Sequence, residues 1–341
     1  MTISLDTMSH AEAKAMVRRM AQVCAQHRGA QPARAAAQIA STVLPLLAIV
    51  WLMLAKVETA YWLTLLLAIP AAGLVVRLFI IQHDCGHGSF FGSRAANDWT
   101  GRAMSLLTLT PYGLWKREHA IHHANSGNLD RRGIGDIDTL TVAEYRALPP
   151  LRRLGYRVYR HPLFLFTFGI PFYFLVLQRL PWFHGLPARD AWRSVMGLNL
   201  ALIVVLGALS LVIDPMHILL VGLPIVIVAA AAGGWLFFVQ HQFEGTYWAR
   251  GGKWDFQIAA VLGSSYYDLP RVLNWFTGDI GLHHIHHLNG TIPNYRLQEC
   301  AAAMPECRDL NRITLWSSLS CVRLTLWDED NGRLVPFGAV A

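Results

Sequence analysis

Charge is scarce in this 341-residue chain: Asp, Glu, Lys and Arg make up 15% of it, while 54% is hydrophobic. That balance excludes an ordinary soluble domain and points to a protein that crosses a membrane several times. Cysteine is also scarce. Cys24, Cys85, Cys300, Cys307 and Cys321 are odd in number and form no CxxC, which argues against a disulfide framework and an iron–sulfur site. The chain has no GxGxxG turn for a dinucleotide and no HPGG segment of the b5-haem type. Its first 30 residues lack the short apolar core of a signal peptide, and AEAKAMVRRMAQVCAQ at 11–26 reads instead as an amphipathic helix. No repeat, low-complexity tract or appended soluble domain is visible. The net charge of +7 suits cytoplasmic loops of a membrane protein better than a nucleic-acid site.

What the chain does have is long apolar runs. Residues 36–55 and 60–81 are each long enough to span a bilayer, and only Lys56, Val57, Glu58 and Thr59 separate them. Residues 194–213 and 217–240 form a second hairpin through Asp214 and Pro215. A fifth piece, 161–180, carries Gly169 and Pro171 in its middle and is rich in Phe, which reads as re-entrant or interfacial. The hairpin loops together carry only Lys56 as a cation, whereas the opposite side carries Lys14, Arg18, Arg19, Arg28, Arg34 and the basic stretches 116–132 and 146–160. The positive-inside rule then places both termini in the cytoplasm, in a bacterial-type inner membrane. The expected fold is an all-α integral membrane protein, with four transmembrane helices in two hairpins, interfacial or re-entrant helices and a cytoplasmic helical cap. It is one domain over 1–341. An N-terminal amphipathic segment (1–35) precedes the first hairpin (36–81). Next come the first two histidine clusters with interfacial helices (82–193) and the second hairpin (194–240). The last histidine cluster and the cap complete it (241–341), with Trp316 and Trp327 available to pack the cap.

Three histidine clusters follow or lie near these runs: HDCGH at 83–87, HAIHH at 119–123 and HHIHH at 283–287. Imidazoles converging at one depth can hold one or two transition-metal ions, the mark of an oxygen-activating membrane metalloenzyme. On a helix His83 and His87 share a face. His119, His122 and His123 lie within about 100° of one another, so all three can point at one ion. The same holds for His283, His286 and His287, while His284 falls on the other flank. His241, at the cytoplasmic end of the last span, should sit at the same depth. These are the nine expected ligands. Nine exceed the needs of one zinc, but suit two metals of four or five nitrogens each. Imidazole alone leaves iron, copper, zinc and nickel open. Asp84, Glu118, Asn125, Asp136, Asp138, Asp268 and Asp279 are candidates to orient the rings or are simply solvated. His10, His27, His161, His184 and His217 read as packed or hydrogen-bonded side chains. A shared centre needs an even number of crossings between His123 and His283, which the second hairpin supplies.

With these residues in view, the chain resembles the membrane fatty acid desaturases, closest to the acyl-lipid Δ12 (ω-6) type. The resemblance rests on HDCGHGSF at 83–90, Trp115 with REHAIHHANSGNLDRR at 117–132, QHQFEGTYW at 240–248 and HHIHHLNGTIPNY at 283–295, and it spans roughly residues 35–300. It implies two non-haem iron ions held by the nine histidines, with His241 as the ligand outside the three boxes. It implies O2-dependent insertion of a double bond into an acyl chain. One departure is that Phe237 stands one turn before His241, where some relatives have an asparagine. Related hydroxylases and decarboxylases forming a terminal alkene share the boxes, so the reaction's outcome stays open. A metal transporter or a haem-binding electron carrier fits less well, because ionisable residues are almost absent from the apolar runs. With no internal redox motif, two electrons must come from an external carrier such as ferredoxin. The arginines at 117–132 and 146–160 offer it a dock, or equally satisfy the positive-inside rule and bind anionic lipid. The other partners implied are a lipid-linked, thioester or free acyl substrate and membrane lipid, with no nucleic acid. The span ends and the Phe/Trp-rich segment 161–183 would line the acyl tunnel.

Overall fold

The computed structural model describes residues 9–182 and 187–340, so His184 lies outside the described residues. Helix α1 (His10–Gln26) opens with a capping box, in which Ser9 and Glu12 satisfy each other's backbone amides. Its apolar residues recur at helical spacing, and Ala13, Met16, Val17, Met20 and Cys24 are buried in the main core cluster. The amphipathic segment therefore packs against protein.

Four long helices follow the apolar runs: α2 (Pro32–Lys56) and α3 (Tyr61–His87), then, later in the chain, Ala188–Leu209 and Pro215–His241. Two helices between the pairs, α4 (Arg94–Thr108) and α5 (Tyr112–Asn125), lie beside the end of α3. Short helices α6 (Val142–Ala147) and α7 (Pro150–Arg160) lead into the Phe-rich piece. That piece is irregular, as Gly169 and Pro171 suggest. It consists of α8 (Pro162–Phe164), a π turn at Leu165–Gly169, α9 (Ile170–Leu175) and a 3-10 turn at Leu177–Arg179. Pro171 has no amide hydrogen to continue the ladder. Among the described residues, five segments, this one included, are long and apolar enough to cross a membrane. The two later long helices, α10 (188–209) and α11 (215–241), complete the set, and this is a multi-pass membrane protein.

The cap departs from the helical expectation. It contains α12 (Phe256–Leu262), α13 (Arg271–Phe276), α14 (His283–Leu288) and α15 (Leu297–Ala302), but also two small sheets. Strand β1 (Tyr266–Asp268) pairs in parallel with β2 (Arg312–Thr314), and β3 (Leu326–Asp328) pairs antiparallel with β4 (Arg333–Val335). The β3–β4 hairpin closes through residues 329–332, where Asp328 accepts from the amides of Asp330 and Asn331 and Gly332 takes the left-handed φ of 59°. Trp327 is buried and stacks on Trp248, but Trp316 is 79% exposed and packs nothing in the cap.

The irregular piece is held against α11 where a glycine lets it approach. A Cβ on Gly234 would stand 2.4 Å from Ile170, whereas one on Gly233 would meet nothing within 4 Å. Phe166 adds edge contacts to Trp235 and Phe238. Gly234→Ala should therefore cost about 1–3 kcal/mol through overpacking, while Gly233→Ala should be neutral. Thermal unfolding of both variants in detergent checks this, and equal midpoints would refute the close-packing assignment.

Candidate metal centre

Four helices bring the histidines together. Helix α3 ends at His87, where Gly88 adopts φ 71° and terminates the helix, so His83 and His87 occupy its last turns. Helix α5 carries His119, His122 and His123, α11 ends on His241, and α14 carries His283, His286 and His287. All nine rings expected from the sequence meet in one place, in two groups. Ligating nitrogens of His83, His87, His119, His123 and His286 lie within 4.8 Å of one another, as do those of His122, His241 and His287. His283 joins the second group, its Nε2 lying 3.0 Å from His241 Nε2.

This division corrects the expectation that each HxxHH cluster serves a single ion. The i,i+4 pair of a helix projects together, while the i+3 ring sits about 60° to one side of the first. His119 and His123 accordingly serve the first group and His122 the second. On α14 the roles invert: His283 and His287 serve the second group and His286 the first. His284 is buried away from both, 6.1 Å from the Tyr266 ring.

The residues holding the rings in place are only partly those anticipated. His83 Nδ1–H donates to Asp84 at 3.0 Å, and Asp84 also accepts from the Asn294 amide at 2.6 Å. His122 Nδ1–H donates to Asp136 at 2.6 Å. Asp268 instead pairs with Arg312, Asp279 accepts from Gln298, and Asn125 bonds the Ile121 carbonyl. Two supports were not among the candidates expected to orient the rings. His241 Nδ1 lies 3.2 Å from the Gly263 carbonyl and can only donate to it. Trp115 stacks on His119 with centroids 4.6 Å apart, and Gly86 leaves room for the indole.

These bonds decide what the centre can hold. His122 and His241 each spend their one N–H at Nδ1, so both Nε2 atoms carry bare lone pairs, and they face each other at 3.2 Å. Among the described residues, the buried Nδ1 atoms of His283, His286 and His287 have no hydrogen-bond partner, and His287 Nε2 has none either. Bare nitrogens converging out of water repel unless a cation lies among them, and neutral imidazole is the ligand form that transition metals require. Burial, reinforced by neighbouring rings, pushes the pKa of His119, His123, His283, His286 and His287 well below the ordinary histidine range. The donor set fits a metal site. Among the lone histidines, His27 bonds the Val23 carbonyl, and His217 pairs with Glu58 between the hairpin loops at 3.0 Å.

Comparison with known proteins bears on the same residues. The family model described as fatty acid desaturase matches residues 59–318. A fatty acid desaturase of Bacillus subtilis is 41% identical over 304 residues, covering 89% of this chain and 86% of that protein. An endoplasmic reticulum omega-3 fatty acid desaturase of Vigna radiata var. radiata is 31% identical over 251 residues, 67% of this chain and 62% of the relative. An sn-1 acyl-lipid omega-3 desaturase (ferredoxin) of Synechocystis sp. is 27% identical over 253 residues, 67% of this chain and 63% of the relative. The chain thus spans a little under two-thirds of the length of the last two.

Two outcomes are expected. Asp136→Asn should weaken metal affinity roughly 10- to 100-fold by releasing His122, whereas Asp138→Asn should leave it unchanged. Metal content after equilibration with a chelator of known affinity measures both, and equal retention would remove Asp136 from the site. The second concerns pH. Above about pH 6.5 the rings are neutral whether the chain is folded or not, so they add no pH dependence. Below it the unfolded chain takes up protons that the folded one refuses, so stability falls as pH falls. The thermal midpoint of the chelator-treated protein should decline between about pH 6.5 and 5. A flat profile would contradict the burial of neutral rings.

Proposed function

Because this chain belongs to the fatty acid desaturase family of oxidoreductases, we propose that it is a di-iron acyl desaturase. In this reading the nine histidines are the metal ligands, five for one iron and four for the other. The overall chemistry balances as one acyl CH2–CH2 unit, O2, two electrons and two protons giving a cis CH=CH unit and two waters. Bound iron would supply the O2 activation and hydrogen abstraction that an unactivated CH2 demands. The single observation that carries the reading is the bare-nitrogen pair His122 Nε2 and His241 Nε2, buried at 3.2 Å within a nine-imidazole cluster.

The protein's own groups have definable tasks. Asp84, Asp136 and the Gly263 carbonyl fix the tautomer and aim of His83, His122 and His241. Trp115 on His119, and Phe237 within 5.2 Å of the His122 ring and 5.3 Å of His241, exclude water from the ligands with apolar surface. Phe237 fills the position where some relatives carry an asparagine, so a water-bridged contact from that residue is absent from this design. The motif resemblance supports a Δ12 (ω-6) position for the new bond. The Vigna and Synechocystis relatives bear omega-3 names, which makes a methyl-side omega-3 bond the second reading.

Four helices, 32–56, 61–87, 188–209 and 215–241, would cross the bilayer, with 162–179 re-entrant. The contact of His286 with His123 at 3.1 Å supports this count, since it demands an even number of crossings between them. Both termini and the centre would face the cytoplasm of a bacterial-type inner membrane, with the basic loops on that side. Electrons would come from a ferredoxin-like carrier, as the Synechocystis relative's name indicates for that protein.

Expression in a host rich in monounsaturated fatty acids should yield dienoic lipid and about two irons per chain, the number of ions that nine imidazoles can serve. His123→Ala should abolish the product, while His284→Ala should reduce it only mildly. Fatty-acid profiling with metal analysis reads all of these outcomes. Full activity of His123→Ala would refute the ligand assignment. Two irons without new unsaturation would turn the reading to hydroxylation or decarboxylation.

A further inference from the structure

The two halves of the centre differ in how they meet the surface. His122, His241, His283 and His287 are all buried, at 2–7% exposure. In the five-imidazole group, by contrast, His87, His119 and His123 are partly exposed. Small residues lie beside these edges. Gly88 is exposed beside His87, and Gly290 lies so close to that ring that a Cβ would stand 2.8 Å from His87 Nδ1. On α5, Ala120 and Ala124 occupy the outward face next to His123, with exposed Arg117 on the same side. Lys116 adjoins them, paired with Asp98 at 2.7 Å.

The other basic stretch has a different character. On α7, Leu151, Leu154 and Val158 form an exposed apolar stripe at i, i+3 and i+7, flanked by Arg152, Arg153 and Arg157. The stripe runs on into exposed Leu163, Phe164 and Phe168. A helix apolar on its open face and basic along its flanks belongs in the plane of a membrane interface, with its arginines at anionic headgroups.

Electron-transfer rate falls steeply with distance, so a protein carrier must bring its redox group against the exposed ligand edges. We propose that electrons enter through the five-imidazole half, at a docking surface formed by the outward face of α5 and the glycine-flanked edge of His87. The occupant is an acidic one-electron carrier protein, and two encounters deliver the two electrons. The inference rests on the desaturase reading above and adds the partner's place and the route of entry. Small residues beside the ligands allow close approach, and Arg117 supplies the complementary charge, Lys116 being paired with Asp98.

A plant-type [2Fe–2S] ferredoxin, reduced beforehand, is the probe. Its reoxidation by the iron-loaded protein in neutral-lipid nanodiscs is followed by stopped flow under O2. Arg117→Glu/Ala124→Glu should slow reoxidation about tenfold or more at low salt, with the gap closing at high salt. Its iron content and its reduction by dithionite should stay as in wild type. Arg146→Glu/Arg152→Glu, a larger charge change on the α7 side, should react like wild type. Slowing by the second variant alone, or equally by both, would overturn the placement. If wild type fails to reoxidise ferredoxin although dithionite reduces its iron, the acidic-carrier assignment falls and the desaturase reading stands. Protein that binds no iron, or makes no unsaturated product with any reductant, would instead fail the desaturase reading itself.

Discussion

The structure depends on the repulsion of desolvated imidazole lone pairs, which the protein arranges rather than avoids. A buried bare nitrogen costs on the order of 1–3 kcal/mol when unpaired, and here several point into one volume. A fold that tolerates this must overdetermine each ring from behind. The supports are the buried Asp84 on His83, the half-buried Asp136 on His122, a carbonyl on His241, and an indole stacked on His119. The two hairpins deliver the ends of α3 and α11 to one depth. The cap then lays α14 across them, beneath α1 and beside α12. Fixing those two helix ends and α14 is the common task of these parts.

The two HxxHH helices solve a packing problem that a single cluster cannot. Three rings on one short helix cannot surround an ion, because they approach it from one side. Dividing them two-and-one on α5 and one-and-two on α14 lets each metal be approached from opposed directions. The same arrangement ties the halves together, since a shift of either helix disturbs both. It also explains why His284 stands apart: its position on α14 faces Tyr266 and the cap core, where burial pushes its pKa down to about 4.

Much of this was legible in the sequence. Apolar runs gave the long helices, Gly169 and Pro171 gave the broken one, and histidine spacing gave the nine rings. The distribution of those rings was not legible, because projection on one helix cannot tell which neighbour a side chain will meet. The Asp84 and Asp136 contacts were two candidates among seven, indistinguishable until the loop 126–139 is seen to fold back on α5. The Gly263 carbonyl has no side-chain signal at all. The β3–β4 hairpin has its signal in the turn-forming run Asp328–Gly332, and a helical expectation for the cap passed over it. Trp316 shows that an aromatic in a cap need not pack within it.

The inner half of the centre is braced by a buried arginine. Arg160 is 3% exposed and has no carboxylate partner among the described residues. Its guanidinium donates to the Asp138 carbonyl and Thr139 Oγ1, to Gln242 Oε1, and to the Leu324 carbonyl. Those three strands of chain are the loop that carries Asp136, the residue after His241, and the cap. A buried cation spread over carbonyl and amide dipoles is held by geometry rather than by a counter-charge, and the planar fork of arginine suits it where lysine would not. Removing it would free the Asp136 loop and the end of α11 together, the two segments behind the facing nitrogens of His122 and His241. The buried half is thus locked through a shared polar knot, while the five-imidazole half is left open at its edge beside glycine and alanine. Rigidity and access are assigned to opposite sides of one cluster.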